Sequence, residues 1–130
     1  MQCSSAYMAV ASLELDRLVA FYTTLLGQAP QPHWPQRYAE FNHGGLKLGL
    51  FKPQASQATE FAAHSPGAIS LCLEVADLDQ AILHLTALGY PPPGPVFTAS
   101  HGRELYAYDP DGNRLILHQS PDRGRGDAPA

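Results

Sequence analysis

A chain of 130 residues is long enough for one domain with a real core, and 45% hydrophobic with 15% charged residues is typical of a globular protein. The formal net charge of −4 and the lack of a basic run argue against nucleic acid as a partner, because phosphate binding needs a concentrated basic surface. No apolar run approaches the roughly 20 residues of a membrane helix, and no leader pattern begins the chain, so we expect no membrane partner and a cytoplasmic location.

The first half of the chain predicts a strand, a helix and a hairpin. A short strand is predicted over 7–12, and apolar residues at helical period predict a helix over 13–27 that ends at Gly27. Prolines between 30 and 35 prevent a new helix and leave room for a short strand. Strands over 37–42 and 46–51 flank the glycine turn between them.

The second half predicts the same order of elements after a polar connection over 52–67 with a helical turn near 59–63. A strand over 68–75 leads to a helix over 77–88, where Asp77 and Gln80 form a capping pattern. A short strand over 96–99 precedes a hairpin that turns at Asp109-Pro110-Asp111-Gly112. The tail over 119–130 is rich in Pro, Gly, Asp and Arg and is predicted to be disordered.

The two halves repeat each other in sequence. Three pairs of segments show this: Glu14-Leu15-Asp16 with Asp77-Leu78-Asp79, 24–27 with 86–89, and 45–50 with 112–117. The repeat predicts a single α+β domain of two tandem βαβββ units, about 7–51 and 68–118. Their sheets are expected to form a curled, half-open mixed barrel with the helices outside. The concave side of such a sheet is a natural small-molecule site.

The two cysteines of the chain predict no covalent or metal cross-link that would stabilise this fold. Cys3 and Cys72 have no close spacing, so they indicate neither a disulfide network nor a zinc motif. Cys72 stands between two leucines, which is typical of a small core residue.

Three segments carry a family resemblance: Leu15-Asp16-Arg17 followed by Phe21-Tyr22, then 75–79, then the Asp109 to Asn113 turn. On these segments the chain resembles the vicinal oxygen chelate superfamily, which includes glyoxalase I, extradiol dioxygenases, fosfomycin-resistance enzymes and bleomycin-resistance proteins. The resemblance implies a divalent metal held in the barrel by a His or Gln, a second His and two Glu side chains. Carried over by position, these ligands fall at Tyr7, Gly49, Ser70 and Ile116. None is a usual metal ligand, so we expect no metal and no other cofactor.

The cavity is expected to remain without the metal. Small or apolar residues would leave room in it, aromatic residues could stack on a planar ligand, and Arg103 could pair with a carboxylate or phosphate. The candidate ligand-binding residues are therefore Tyr7, Trp34, Tyr38, Gly49, Ser70, Cys72, Arg103, Tyr106 and Ile116. Glu40, His101 and Glu104 are the candidates for acid–base catalysis. Core or dimer packing for the aromatics, and a solvated strand face for Arg103 and Glu104, are the alternatives.

Three functions are compatible with these residues. The first is a metal-independent protein of the glyoxalase and bleomycin-resistance type that binds a planar or amphipathic small molecule in the barrel cavity. The second is a glyoxalase-like lyase, isomerase or dioxygenase with a noncanonical metal site. The third is a subunit that only associates. The resemblance also implies a homodimer, and the connection over 52–67 is long enough to permit exchanged halves.

Overall fold

The computed structural model describes residues 1–62 and 67–121, and the chain divides into two compact units, Met1–Ser65 and Pro66–Ala130. Each unit contains one four-stranded mixed sheet and one α-helix in the order β-α-β-β-β. The predicted α+β class and its two βαβββ repeats are therefore confirmed. Residues 63–66 of the predicted connection and 122–130 of the predicted tail lie outside the described residues.

Unit 1 contains four strands and a helix. They are β1 (Met8–Ala11), α1 (Leu15–Leu26), β2 (His33–Trp34), β3 (Tyr38–His43) and β4 (Leu46–Phe51). The sheet order is β1-β4-β3-β2, with β1 parallel to β4 and the other pairs antiparallel. A 3-10 helix (Ala55–Phe61) follows β4, so helical structure in the connection begins earlier than the predicted turn near 59–63.

The core of unit 1 lies between α1 and one face of its sheet. The helix buries an apolar stripe, and alternate residues of β3 and β4 bury the facing positions. Gly27 ends the helix because it takes a left-handed conformation at φ 67°, which favours glycine. The buried residues are Leu15, Leu18, Val19, Phe21 and Tyr22 of α1 and Ala39, Phe41, Leu48 and Leu50 of the sheet.

Unit 2 repeats this arrangement. Its elements are β5 (Leu71–Glu74), α2 (Leu78–Leu88), β6 (Phe97–Ala99), β7 (Gly102–Tyr108) and β8 (Arg114–Gln119), in the sheet order β5-β8-β7-β6. Asp77 caps α2 by accepting a hydrogen bond from the Gln80 N–H at 3.1 Å. Leu78 and Leu85 of α2 are fully buried, as are Leu105 and Leu115 of the sheet.

The turn between β7 and β8 is organised by the Asp109 carboxylate, which is only 2% exposed. One of its oxygens accepts the backbone N–H groups of Asp111 and Asn113, each at 2.9 Å. The other accepts the Asn113 side-chain amide at 2.8 Å. This set of bonds closes the turn and fixes the register in which Tyr106 faces Ile116 and Glu104 faces His118.

The last strand runs further than the sequence predicts. The disordered tail is predicted from residue 119, but Gln119 belongs to β8 and its side-chain oxygen accepts the Leu78 N–H at 2.7 Å. Gln119 thereby satisfies an N–H at the start of α2 that has no partner within the helix. Among residues 1–62 and 67–121, no helix has the length and apolar character needed to cross a membrane.

Candidate functional site

In each unit, one sheet face is covered by that unit's own helix. We call the opposite face the open face. Residues directly paired across neighbouring strands point to the same side, so the register assigns every strand residue to one face or the other.

Three aromatic side chains form a row across the open face of unit 1. Trp34 of β2 pairs with Tyr38 of β3, and Tyr38 pairs with Phe51 of β4. The rings of Trp34 and Tyr38 are 5.9 Å apart and inclined by 36°. Phe61 packs its ring edge-on against Phe51 at 5.1 Å. We call Trp34, Tyr38 and Phe51 the aromatic row.

A cavity of about 500 Å³ opens beside the aromatic row. This volume lies within the range of about 300–1,000 Å³ that is typical of small-molecule sites. Trp34 remains 56% exposed there, which is unusual for so large an apolar side chain. The lining residues all belong to unit 1: Trp34, Gln36, Arg37, Tyr38, Phe51, Lys52, Pro53 and Gln54.

The loop between β2 and β3 holds one wall of this cavity in an uncommon conformation. Gln36 has a φ of 64°, which a non-glycine residue rarely adopts. Its N–H donates to Asp16 Oδ1 at 3.2 Å, so α1 anchors the loop. The Arg37 N–H donates to the Trp34 carbonyl at 2.9 Å, and the Lys52 N–H donates to the Arg37 carbonyl at 3.1 Å. The loop and the end of β4 are therefore tied together at the cavity.

Glu40 pairs with Gly49, and this is the next pair after Tyr38–Phe51 on the open face of unit 1. The Tyr38 hydroxyl donates to Glu40 Oε1 at 2.7 Å, and Lys47 Nζ lies 3.9 Å from Glu40 Oε2. Burial, together with the hydrogen bond to the Glu40 carboxylate and its negative charge, raises the pKa of Tyr38 to about 12. Tyr38 therefore remains a neutral phenol, and its hydroxyl points at Glu40.

We expect Glu40→Gln to lower the pKa of Tyr38, because the acceptor would lose its charge. Burial, the largest cause of the shift, remains, so the pKa should stay above the ordinary value of 10.0. Titration of tyrosinate absorbance against pH measures this. Glu60→Gln, a change in the exposed 3-10 helix, is the matched control and should leave the titration unaltered. Identical titration curves for Glu40→Gln and the wild type would contradict the Tyr38–Glu40 bond.

The positions where the superfamily resemblance places metal ligands do not fit a metal. A Cβ on Gly49 would lie 2.8 Å from the Tyr38 hydroxyl, so the space for a longer side chain is filled. The Ser70 hydroxyl accepts a hydrogen bond from Arg114 Nη1 at 3.1 Å, and Ile116 offers only hydrocarbon. Tyr7 precedes β1 and is exposed. Within the described ranges, no group of three or more His, Cys, Asp or Glu side chains is arranged to hold a metal ion.

The open face of unit 2 carries a series of three polar side chains at one end. Glu74 Oε1 lies 2.6 Å from His118 Nδ1, and His118 Nε2 lies 2.8 Å from the His101 carbonyl oxygen and 3.2 Å from His101 Nδ1. The two imidazole rings stack at 5.3 Å. Ser120 donates both its N–H and its hydroxyl to Glu74 Oε2, each at 2.9 Å. We call Glu74, His118 and His101 the carboxylate–histidine series.

The series shifts the pKa of both its strand residues. The hydrogen bond to Glu74 is the largest effect and raises the pKa of His118. Burial opposes it, and the bond to the His101 carbonyl adds to the rise. For Glu74, burial is the largest effect and would raise the pKa. The bonds from His118 and Ser120 together outweigh it and lower the pKa. Both shifts favour the charged pair.

We therefore expect the pair of Glu74 and His118 to stabilise the fold within a window of pH and to lose this contribution at both higher and lower pH. The His118 part is complete below the ordinary histidine pKa of 6.5 and is lost as the pH rises through the raised value. The Glu74 part is present above the ordinary glutamate pKa of 4.5 and is lost as the pH falls through the lowered value. His118→Gln should thus cost most between pH 4.5 and 6.5. Chemical unfolding followed across pH tests this, with His33→Gln as the control.

The predicted site residues of unit 2 are only partly brought together. Tyr106, Ile116 and Cys72 share the open face, where Tyr106 contacts Phe97 at 5.6 Å, and Glu104 faces His118. The interpretation of Cys72 as a core residue is wrong, since it is exposed.

Arg103 does not lie on the open face, where a ligand-binding role would need it. It pairs with Thr98 and Gln119 on the face that α2 covers, and its Nη2 binds Asp79 Oδ1 at 3.0 Å. The reason is the alternation of β7, which points Glu104 and Tyr106 to the open face and Arg103 to the other.

Sequence reasoning found Trp34, Tyr38, Glu40 and His101 but missed other residues of these sites. The missed residues are Gln36, Arg37, Phe51 and Lys52 of the cavity, and the contact between Glu74 and His118 was not predicted. A signal existed for Phe51. A two-residue turn at Gly44-Gly45 pairs the residues on either side of it, and continuing this pairing along both strands places Tyr38 opposite Phe51. No comparable local signal joins Glu74 to His118.

The fold and the sequence together define the class of protein. A family model described as the Glyoxalase/Bleomycin resistance protein/Dioxygenase superfamily matches residues 5–117, and the chain belongs to that superfamily. Among curated proteins, none matches this sequence.

Solved structures show the same architecture. A lactoylglutathione lyase from Agrobacterium tumefaciens is 24% identical, with 91% of this chain and 95% of that chain covered and a TM-score of 0.67. A glyoxalase/bleomycin resistance protein/dioxygenase from Nocardioides is 22% identical, with 100% and 91% covered and a TM-score of 0.71. A glyoxalase/bleomycin resistance protein from Catenulispora acidiphila is 24% identical, with 89% and 97% covered and a TM-score of 0.63. At these identities the likeness establishes the fold alone.

Proposed function

We propose that this protein is a metal-independent small-molecule-binding protein of the glyoxalase and bleomycin-resistance type, and that its ligand is planar or amphipathic. The observation that carries the proposal is the aromatic row beside a cavity of about 500 Å³. A half-exposed tryptophan with an inclined tyrosine beside it offers ring surface that a planar ligand can cover. The ligand would bury this apolar surface and gain stacking contacts.

The positions of the superfamily ligand set support binding without a metal. Gly49 is covered by the Tyr38 phenol, and Ile116 has no donor atom. Tyr38 therefore occupies, in unit 1, the space that a coordinating side chain would need. The Glu40 carboxylate beside it is already held by Tyr38 and faced by Lys47.

The proposal is tested by ligand binding to protein dialysed against a chelator. Naphthalene derivatives with anionic, neutral and cationic substituents serve as planar probes, and calorimetry measures their affinity. Trp34 is the only tryptophan in the chain, so quenching of its fluorescence reports whether a probe occupies this cavity. We expect at least one probe to bind at a single site with quenching. Binding that appears only after a divalent metal is added would overturn the proposal, as would the failure of every probe to bind.

A second candidate function is proton-transfer catalysis of the lyase or isomerase kind, and the carboxylate–histidine series favours it. A carboxylate that orients an imidazole next to a second imidazole is an arrangement able to hold and pass a proton. Exchange of the α-protons of hydroxyacetone in deuterated water, followed by NMR, tests it. This candidate expects exchange that falls about 100-fold in His118→Gln. Exchange no faster than in buffer would remove it.

A homodimer belongs to the same proposal. Residues 52–67 form a connection long enough to permit exchange of halves between two copies. Light scattering at micromolar concentration measures the mass directly. A monomer would contradict the dimer but would leave the binding function standing.

A further inference from the structure

We propose that the cavity of unit 1 selects a planar aromatic acid, a ligand with a flat apolar body and an anionic group. This inference rests on the proposed binding function and adds the charge of the ligand to it. The chemistry that would recognise such a ligand is the combination of the aromatic row with two basic residues, Arg37 and Lys52.

The lining of the cavity is positively charged. Among the described residues that line the cavity, both charged ones are cations and none is an Asp or a Glu. The nearest acid of the open face, Glu40, is held by the Tyr38 hydroxyl on the side of the ring toward Gly49. A backbone hydrogen bond joins Lys52 to Arg37 next to the Tyr38–Phe51 pair. This bond lies on the side of the pair away from Glu40 and Gly49. The cavity is therefore lined by two positive side chains and the Tyr38 ring. Glu40 lies on the far side of that ring and does not line the cavity.

These two cations have no side-chain partner among the residues that the structure describes. Of the basic residues in the described ranges, Arg17, Lys47 and Arg103 form salt bridges, and Arg114 donates to the Gly67 carbonyl and the Ser70 hydroxyl. The remaining two, Arg37 and Lys52, form no salt bridge or side-chain hydrogen bond with any residue of those ranges. The formal net charge of the chain is −4, yet the two basic side chains that lack a partner within the described ranges lie at one cavity.

The loop that carries Arg37 has an uncommon backbone conformation. The preceding residue, Gln36, is held at a φ of 64° by its bond to Asp16. Such strained residues persist where the surroundings fix them, and they are frequent at ligand-binding sites. Here the strain places Gln36 and Arg37 on the cavity wall next to Trp34. Gln36 and Gln54 add amide groups that can bond to the same polar end of a ligand.

A guanidinium binds carboxylate and phosphate with similar geometry, so the shared chemistry is an anionic oxygen group on an aromatic ring. Four probes of one ring system separate the possibilities: 2-naphthoate, 2-naphthyl phosphate, 2-naphthamide and 2-naphthylmethylammonium. Calorimetry on the full chain gives the affinities, and quenching of Trp34 shows that binding occurs at this cavity. We expect the tighter of the two anions to bind about tenfold more strongly than the amide, and the ammonium to bind most weakly. Whichever anion is tighter identifies the acidic group.

The outcomes separate this inference from the function on which it rests. Quenching by the amide or the ammonium with an affinity equal to or above that of both anions would overturn the anionic preference and leave planar-ligand binding intact. Failure of every probe to bind would overturn both. Anion binding without Trp34 quenching would place the basic site elsewhere and also overturn the inference.

Matched variants assign the preference to the two cations. Arg37→Gln and Lys52→Gln should each lower the affinity for the preferred anion by several-fold to about tenfold and leave the affinity for 2-naphthamide unchanged. Lys47→Gln makes the same charge change on the same sheet, away from the cavity lining, and should alter neither. Equal loss of anion affinity in Lys47→Gln would mean that net charge alone attracts the probe. Thermal melts of all three variants show whether each is folded.

Discussion

Trp34→Ala is expected to weaken the binding of the tightest naphthalene probe by roughly 30-fold or more, because a tryptophan that packs against a bound ligand typically contributes at least about 2 kcal/mol. The residue forms one end of the aromatic row, with its ring 5.9 Å from that of Tyr38. Stability should change little, since the side chain is already half exposed and the substitution leaves no buried cavity. Calorimetry is the measurement, because the variant removes the fluorescent reporter.

Two further variants sharpen this result. Trp34→Phe keeps a flat ring and should retain most of the affinity. Phe97→Ala removes an aromatic side chain of similar exposure, 49%, from the open face of unit 2, and should leave probe binding unchanged. An unchanged affinity in Trp34→Ala, or an equal loss in Phe97→Ala, would show that the probes do not bind at the aromatic row.

Gly102→Ala is expected to lower the free energy of unfolding by about 3 kcal/mol or more, the upper range for a single substitution. Gly102 begins β7 with a φ of 128°, a conformation that L side chains rarely adopt. An added Cβ would overlap the backbone carbonyl oxygen of Gln119 and lie 3.0 Å from His118 Nε2. The strand backbone cannot move without breaking the pairing of β7 with β8, and the contact between His101 and His118 depends on that pairing.

Denaturant unfolding followed by circular dichroism measures this loss, since the only tryptophan lies in unit 1. Gly94→Ala is the matched control. An added Cβ there meets nothing within 4 Å, and its effect should stay within about 0.5 kcal/mol. Similar free energies for the two variants would contradict the close approach of β7 and β8 at Gly102.

The elements of the fold could be predicted because their signals are local. β4 has the predicted bounds, and the Asp109 turn is fixed by hydrogen bonds within five consecutive residues. The repeat predicts the βαβββ order of each unit, because corresponding segments must form corresponding elements. The predicted tail boundary is wrong at Gln119, where a long-range bond to the start of α2 outweighs a loop-like composition.

The sites were harder to predict because they depend on strand register and on which side each strand faces. The guanidinium of Arg103 and its position near a turn favour a ligand-binding role. Side chains alternate between the two faces along β7, however, and this alternation directs Arg103 to Asp79. A glycine at position 49 predicts open space, whereas the Tyr38 side chain from the neighbouring strand fills it. Glu74 and His118 meet through parallel pairing of β5 with β8, which no local pattern encodes.

A crystal structure of the full chain with 2-naphthoate is the decisive test of metal-independent binding at the aromatic row. We expect the naphthalene ring against Trp34 and Tyr38, the carboxylate near Arg37 and Lys52, and no metal ion between ligand and protein. A ligand bound away from the aromatic row, or one whose oxygen atoms reach the protein through a metal ion, would contradict it.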